Sequence, residues 1–524
     1  MELILNELLI PVEKDGTGAY LEAAAERLGA HAKAIQLIKI LFKELEAKNP
    51  EQFYYLVSIV VSLPPSFKNT NNLPLYIEAL PLKKKQITSK EKPIVIGFGP
   101  AGMFAALELI EYGLKPVVFE RGKKIEERSV DINIFIRDKV LDPDSNIQFG
   151  EGGAGSYSDG KLFARAKNSV YINKVIDTLI RFGAPAEIKY TARPHLGTDV
   201  LCRIVKNIRQ FIIENGGQVN FNSKMTDLLL AEGSVKGVVI NGEKEYLSST
   251  VYLALGHSAR DTFNLLNAKG AALEQKPISV GIRVEHPAEV INEMKYGSKY
   301  KNFTPLGASG YSFNYSDEKT NRRLNTFCMC PGGEVVNASS ENGLLVINGM
   351  SYSKRDGEFS NTAFIITCHP SDYPSSSPLA GMEFQKEIEK KAYNAGAPSF
   401  EVPAQNLEDF LEGRVSSTLN KNSCKIGTKS VDLKQILPEY ISSTLLSAFN
   451  QWKNDYPSYV SKHGILMAPE TRSSCAVRIK RTAEYESESI KGLFPIGEGA
   501  GYTGGITSSA ADGIKAVEKQ ITKN

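Results

Sequence analysis

Short apolar runs alternate with glycine-rich breaks along the chain, and their spacing predicts a protein of mixed α and β structure. Apolar runs at 3–12, 35–42 and 53–63 read as strands, and a helix over 20–28 is stopped by Gly29. From Pro93 the texture changes to strand, glycine turn, helix and strand, which is a βαβ unit. A polar, glycine-dense stretch fills 121–175, and a helix over 199–214 ends at Gly216 and Gly217. Short strands follow at 218–221, 225–231, 235–240 and 250–255. Between about 275 and 490 the pattern is irregular, with apolar runs at 278–284, 344–347 and 363–367 and a Pro/Ser-rich loop at 370–378. No internal repeat is present.

The βαβ unit carries a dinucleotide fingerprint in its required context. The strand 93–96 runs into Gly97-x-Gly99-x-x-Gly102, which opens the helix over 101–112. Gly97 permits the tight turn, Gly99 close backbone approach to a pyrophosphate, and Gly102 close helix–strand packing. The helix start offers unpaired N–H groups to phosphate. After the next strand, 115–119, Glu120 stands 23 residues beyond Gly97, where a carboxylate can bond ribose hydroxyls. NAD and FAD share this half-site, so the dinucleotide stays open on these residues alone.

A second segment narrows the choice. Gly497 lies 400 positions after Gly97, in Gly492-Leu-Phe-Pro-Ile-Gly-Glu-Gly-Ala-Gly-Tyr-Thr-Gly-Gly-Ile506: a strand, an acid, a glycine loop and then a helix over 506–520. This arrangement resembles the late FAD motif of glutathione-reductase-type flavoproteins, with Glu498 where that superfamily more often has Asp. The resemblance implies that Glu498 bonds the ribityl chain and that the helix start after Gly504 and Gly505 faces the flavin. Thr250-Val-Tyr-Leu-Ala-Leu-Gly256 resembles the superfamily's middle strand. Over nearly its whole length the chain also resembles a family of bacterial and plastid proteins described as FAD-dependent, or NAD(FAD)-utilising, dehydrogenases. That likeness rests on Gln148-Phe-Gly-Glu-Gly-Gly-Ala-Gly-Ser-Tyr-Ser-Asp-Gly-Lys-Leu162, Pro194-His-Leu-Gly-Thr-Asp-Val-Leu201, Gly256-His-Ser-Ala-Arg-Asp-Thr-Phe263, Gly281-Ile-Arg-Val-Glu-His-Pro287, Phe327-Cys-Met-Cys-Pro-Gly-Gly333 and 497–513.

Together these features imply an α/β protein. A Rossmann-like three-layer FAD-binding domain is expected from 89–274 and 490–524, interrupted by a β-rich α+β substrate domain over 275–489. Residues 1–88 are expected to form a small α+β, ferredoxin-like domain. The expected cofactor contacts are Gly97, Gly99, Pro100, Ala101 and Gly102; Glu120 and Arg121; Gly153, Ala154 and Gly155; Met225, Ala254 and Gly256; and Gly497, Glu498, Gly504, Gly505 and Ile506.

Composition limits the remaining classes. The formal charge of +3 over 524 residues argues against a dedicated nucleic-acid binder. The basic connector with Lys83, Lys84, Lys85, Lys90 and Lys92 reads as a solvated linker, since residues 1–90 carry only +1. No signal peptide is indicated, and the longest apolar run, 54–63, is about half of the ~20 residues a membrane span needs. Six scattered cysteines without a Cys-x-x-Cys pair suit a reducing, cytoplasmic setting rather than a disulfide scaffold.

The glycines, 43 in all, bunch at 97–102, 150–160 and 497–505. The middle bunch matches the nucleotide spelling but follows no strand, so it is expected to lay backbone N–H groups against flavin or substrate, with Ser156, Ser158, Asp159 and Lys161 adding polar groups. His195 and Asp199 stand at a loop-to-helix transition, and His257 and Arg260 follow the strand that ends near the cofactor. Either histidine is a candidate acid or base. Ser258-x-x-Asp261 reads as a variant capping box. Arg283 and Arg478 could bind an acidic substrate. Cys328 and Cys330, at i and i+2, share one face of a strand, so dithiol exchange competes with two structural thiols. No metal-ligand spacing occurs. The expected activity is hydride transfer between non-covalent FAD and a small-molecule substrate, the reducing equivalents coming either from NAD(P)H bound transiently at the flavin cleft or from the substrate itself, and without nucleic acid or membrane. The competing readings are a flavin-dependent RNA-modifying enzyme and a non-catalytic flavin-binding or redox-sensing protein.

Overall fold

A computed structural model describes residues 1–70, 72–78, 84, 86–162, 169–396 and 398–523. At its centre is a parallel five-stranded sheet ordered Leu493–Pro495, Val251–Leu253, Ile94–Ile96, Val117–Phe119, Gln218–Asn220. Alternation along these strands splits the core. Val95, Val118, Tyr252 and Phe494 pack on helices Pro100–Glu111, Gly197–Glu214 and Ile506–Lys523. Ile94, Ile96, Val117, Phe119 and Leu253 face the other way, onto the antiparallel meander Met225–Ala231, Ser234–Ile240, Lys244–Leu247. Helices, sheet and meander form three layers. The strand order reverses beside Ile94–Ile96, whose two neighbours come from later and opposite parts of the chain. Ligands of such sheets bind at the carboxyl ends of the strands around that point.

Residues between 275 and 490 build a seven-stranded sheet, ordered Asn314–Asp317, Arg322–Cys330, Phe359–Cys368, Ile278–Pro287, Ile465–Glu470, Val402–Asn406, Thr428–Ser430. It is antiparallel except for its last pair. Helices Ala380–Ala395 and Glu439–Asp455 join its core. Of the run at 344–347 only Ile347 enters a strand, Ile347–Met350.

The N-terminal module has three antiparallel strands, Glu2–Pro11, Tyr54–Ser62 and Gln36–Glu46 in that spatial order, and helix Thr17–Leu28. A ferredoxin-like unit would need a fourth strand and a second helix, so that expectation is corrected among the described residues. The module docks through Phe53, stacked on Tyr300 at 4.3 Å, and through Glu13, which accepts the Tyr300 hydroxyl at 2.6 Å. The connector also departs from its reading. Lys84 is no solvated linker residue: it pairs with Glu108, with Glu518 at 3.1 Å and with Glu111 at 3.4 Å. Lys83 and Lys85 lie outside the described residues.

The stretch 121–175 hides a helix, Ile125–Asp138. Its buried face is Ile125, Arg128, Ile132 and Phe135, and the arginine in that stripe obscures the apolar period.

Candidate functional site

The first glycine turn packs as the fingerprint requires. A Cβ on Gly97, where φ is 99°, would stand 2.3 Å from the Ala254 carbonyl oxygen, and one on Gly102 would stand 2.0 Å from the Gly97 oxygen. Glu120 behaves differently from its expected role. Its Oε2 accepts the Phe98 N–H at 2.8 Å, while Oε1 accepts those of Gly122 at 2.9 Å and Gly150 at 3.0 Å. The acid therefore ties the first glycine turn to the second before any ribose is considered.

The middle glycine loop is built onto the first. Gly152 N–H donates to the Phe98 carbonyl at 2.8 Å, and a Cβ on Gly153 would lie 3.1 Å from the Gly99 Cα. Fully buried Arg128 organises it from behind, donating to the carbonyls of Asn146 (2.8 Å), Ile147 (3.0 Å) and Glu151 (2.7 Å). The third turn completes the set. Gly497 N–H donates to Asp512 at 2.8 Å, and Asp512 is held by both terminal nitrogens of Arg481 at 2.8 Å each. Gly155 meets Ile506, the first residue of the last helix.

All three turns border one cavity of about 760 Å³. From the first come Gly97, Gly99, Pro100 and Ala101, with Glu120 and Arg121 beside them; from the second, Gly153, Ala154 and Gly155. Met225, Ala254 and Gly256 add a further side, and Glu498, Gly504, Gly505 and Ile506 close it. Gly102 and Gly497 stand behind this lining as packing residues: a Cβ on Gly497 would lie 2.6 Å from that of Ala101.

The cavity suits a dinucleotide. A Cβ on Gly99 would find its nearest atom at 3.7 Å, and one on Gly256, Gly504 or Gly505 would find nothing within 4 Å. These backbone faces abut open space rather than protein. The helix starts at Pro100 and Ile506 both adjoin that space and favour negative charge. Gln148, nearly fully buried on the wall, leaves its Oε1 without a partner among the described residues.

The ionisable groups sort by partner. Lys161 pairs with Asp159 at 2.9 Å and donates to the Met329 carbonyl, and Asp159 also receives Arg355 at 2.5 Å and Ser351 at 2.6 Å. His195 forms a backbone bridge with Lys161 and bonds the Ser353 carbonyl at 3.0 Å; its side chain is absent from the cavity lining. Burial, then Arg355, lowers its pKa. Asp199 accepts Ser353 N–H and Oγ, bracing the same loop. His257 borders the cavity and bonds Ser258 Oγ at 2.9 Å. Burial, helped by Arg472 and Arg260, pushes it down to about 3, so near neutral pH it is an uncharged imidazole.

Three sequence readings change here. Ser258 does not cap its helix with its side chain; its hydroxyl bonds His257 and Arg472, while Asp261 pairs with Arg121 at 2.5 Å and Lys224 at 2.6 Å. Arg283 is fully buried and committed to Glu470 (2.8 Å), Asn361 (2.6 Å) and Asn348 (3.1 Å), so it holds the inserted sheet rather than a substrate. Arg260 and Arg472 share the buried carboxylate of Glu389, with bonds of 2.8 and 2.9 Å to Arg260 and 2.8 and 3.0 Å to Arg472. That cluster fastens the first part of the cavity wall to the inserted sheet. Arg478 borders the cavity but pairs with Glu274 at 2.8 Å.

Glu498 lines the cavity, and burial lifts its carboxyl to about 7 against a smaller opposing pull from Lys276. Lys276 and Arg472 also line the cavity and were not singled out from the sequence. Neither sits in a glycine motif; only the fold brings them to the wall. Cys328 borders the cavity and Cys330 is fully buried behind it. Among the described residues no group of three or more His, Cys, Asp or Glu could hold a metal ion, and no helix is long and apolar enough to cross a membrane.

Residues 277–473 match the family described as FAD-dependent protein, C-terminal domain-like. A protein of Clostridium beijerinckii, described as uncharacterized, is 45% identical over 436 residues, covering 83% of this chain and 81% of its own. Faint structural likenesses extend to E. coli quinol fumarate reductase FrdA (14% identity, 83% of this chain and 71% of that one, TM-score 0.36) and to the flavin-dependent brominase Bmp2 (12%, 83% and 80%, TM-score 0.39). Likeness at that level carries nothing about chemistry.

Proposed function

Since the chain belongs to one family with the Clostridium beijerinckii protein and shares its C-terminal domain with FAD-dependent proteins, we propose that it is a flavoenzyme. It holds FAD without a covalent bond and transfers two electrons, as hydride, between a donor and a small organic substrate. The observation that carries this reading is the meeting of three glycine turns, from 97–102, 150–160 and 497–505, on one cavity of about 760 Å³. Bound there, FAD would supply the redox chemistry, while the protein supplies position and electrostatics.

The chain's own residues divide that work. Gly99 and the helix start at Pro100 take the pyrophosphate, with Glu120 keeping the turn in shape rather than serving the ribose alone. Glu498 and the helix start at Ile506 face the far part of the cavity. Uncharged His257 offers a hydrogen bond and no charge, whereas Lys161 and Lys276 bring positive charge to the cavity wall. That pattern suits an anionic substrate or one that gains negative charge on reduction. Reducing equivalents come from NAD(P)H or from the substrate itself. The test is anaerobic mixing of the flavin-loaded protein with NADH, NADPH and a panel of small acids. Bleaching of the flavin by at least one of them supports the oxidoreductase reading; bound flavin that none of them reduces favours a non-catalytic flavoprotein.

A further inference from the structure

One wall of the cavity carries a cysteine, Cys328, with a second, Cys330, enclosed behind it. Cys328 and Cys330 end the strand Arg322–Cys330, and the pairing of that strand with Phe359–Cys368 slips between Phe327 and Cys330. At the slip Cys328 adopts a φ of 44°, a conformation that is strained for a residue with a Cβ and persists where its surroundings impose it. Those surroundings are visible. The Cys328 carbonyl accepts Arg283 Nη1 at 3.2 Å and the Cys330 thiol at 3.2 Å, and Lys161 bonds the Met329 carbonyl between them. The bulge folds the Cys330 thiol back onto the Cys328 backbone, which brings the two cysteines together at the slip. Cys328 borders open space while Cys330 lies fully enclosed, which is the asymmetry of an attacking and a resolving thiol.

We propose that Cys328 is the attacking thiol on the cavity wall and Cys330 its resolving thiol, the pair being oxidised from dithiol to disulfide by a small organic disulfide. The Cys328 sulfur attacks one sulfur of R–S–S–R, forming a mixed disulfide and expelling RS⁻. Cys330 gives its proton to that RS⁻ and attacks the Cys328 sulfur, forming the internal bond and releasing the second RS⁻. Two electrons pass from the pair to the substrate, and one thiol and one thiolate leave.

The charges around the pair agree. Hydrogen bonding from Cys330 first, then Lys161 and Arg283, hold the Cys328 thiol well below the usual range, against burial and Asp159; Arg355 pairs with Asp159, and Glu470 is taken up by Arg283. Cys330, sharing its proton with Cys328, is raised. A low-pKa, partly exposed thiol beside a buried partner is the reactive arrangement. The inference stands whether or not FAD occupies the cavity.

The test is site-resolved alkylation of the purified, full-length protein with limiting iodoacetamide at pH 6, read by peptide mass spectrometry. Cys202, also partly exposed, has its thiol pushed up to about 11 by burial and serves as the internal control. Cys328 should label at least about ten-fold faster than Cys202, and Lys161→Gln should slow Cys328 alone. With 2-hydroxyethyl disulfide the native chain should yield a peptide linked internally at Cys328 and Cys330, and Cys330→Ser should accumulate the mixed disulfide on Cys328. Labelling of Cys328 no faster than Cys202, or a mixed disulfide on the native chain that never resolves, overturns the proposal. Flavin absorbance of the same sample reports the cofactor reading separately.

Discussion

The Glu120 carboxylate accepts the backbone N–H of Gly150 at 3.0 Å, which joins the acid ending the second strand of the βαβ unit to a glycine loop 30 residues later. With Phe98 and Gly122 on the same carboxylate, it satisfies three buried donors. Each donor orphaned by Glu120→Ala costs about 1–3 kcal/mol where water cannot replace the acceptor. Glu120→Ala should therefore lower the urea midpoint of the ligand-free protein as well as its flavin content. A variant that lost flavin with an unchanged midpoint would show that Glu120 serves the ligand and not the fold.

Gly99→Ala should separate binding from folding in the opposite sense. Its Cβ meets no protein atom closer than 3.7 Å, so the ligand-free stability should stay within about 0.5 kcal/mol of the parent. The same methyl intrudes where a pyrophosphate would approach the backbone, and flavin affinity should fall at least about ten-fold. Gly97→Ala, placed 2.3 Å from the Ala254 oxygen, should instead destabilise the fold outright. Parallel urea and flavin titrations of the two variants check both statements.

Glu389 bridges two buried guanidiniums, and Glu341 supplies the second carboxylate of the cluster. Glu389→Ala leaves Arg260 and Arg472 to share Glu341 alone, and breaking such a buried cluster costs about 3–5 kcal/mol. Its carboxyl is held below the usual range against burial by Arg260 and then Arg472. The stability it provides is thus present above its ordinary pKa of 4.5 and is lost as pH falls below it. The Ala variant should show a lower urea midpoint near neutral pH and a flatter acid limb.

Glu498 carries the reverse sign. Its folded value of about 7 lies above the ordinary 4.5, so the folded state keeps this proton longer than the unfolded chain does. The penalty is absent below about 4.5, grows as pH rises between the two values and is constant above about 7. Glu498→Gln should match the parent in stability at acidic pH and exceed it above neutrality, measured in the ligand-free protein. A difference independent of pH would mean that Glu498 ionises normally.

The sequence made the nucleotide fold legible because glycine geometry and period-two strands are local properties. Gly97, Gly99 and Gly102 sit within one turn, and Val95 and Val118 against Ile94 and Val117 already show which face of each strand is which. What escaped was non-local. Helix Ile125–Asp138 has Arg128 inside its buried stripe, because that guanidinium serves three carbonyls of the middle glycine loop. Arg283 looked available for substrate until Glu470, 187 residues away, proved to hold it. Lys276 and Gln148 reach the cavity through no motif at all. Cys328 and Cys330 were expected on one face of a regular strand; the bulge sets their relationship, and no spacing in the sequence announces it.

The central claim is that three glycine turns close one FAD site, and the visible spectrum of the purified protein after equilibration with FAD and removal of excess tests it most directly. The account predicts one flavin per chain, retained by the parent and largely lost by Gly99→Ala at equal folded content. A parent chain that stays colourless, or a Gly99→Ala variant that keeps full flavin, would contradict it.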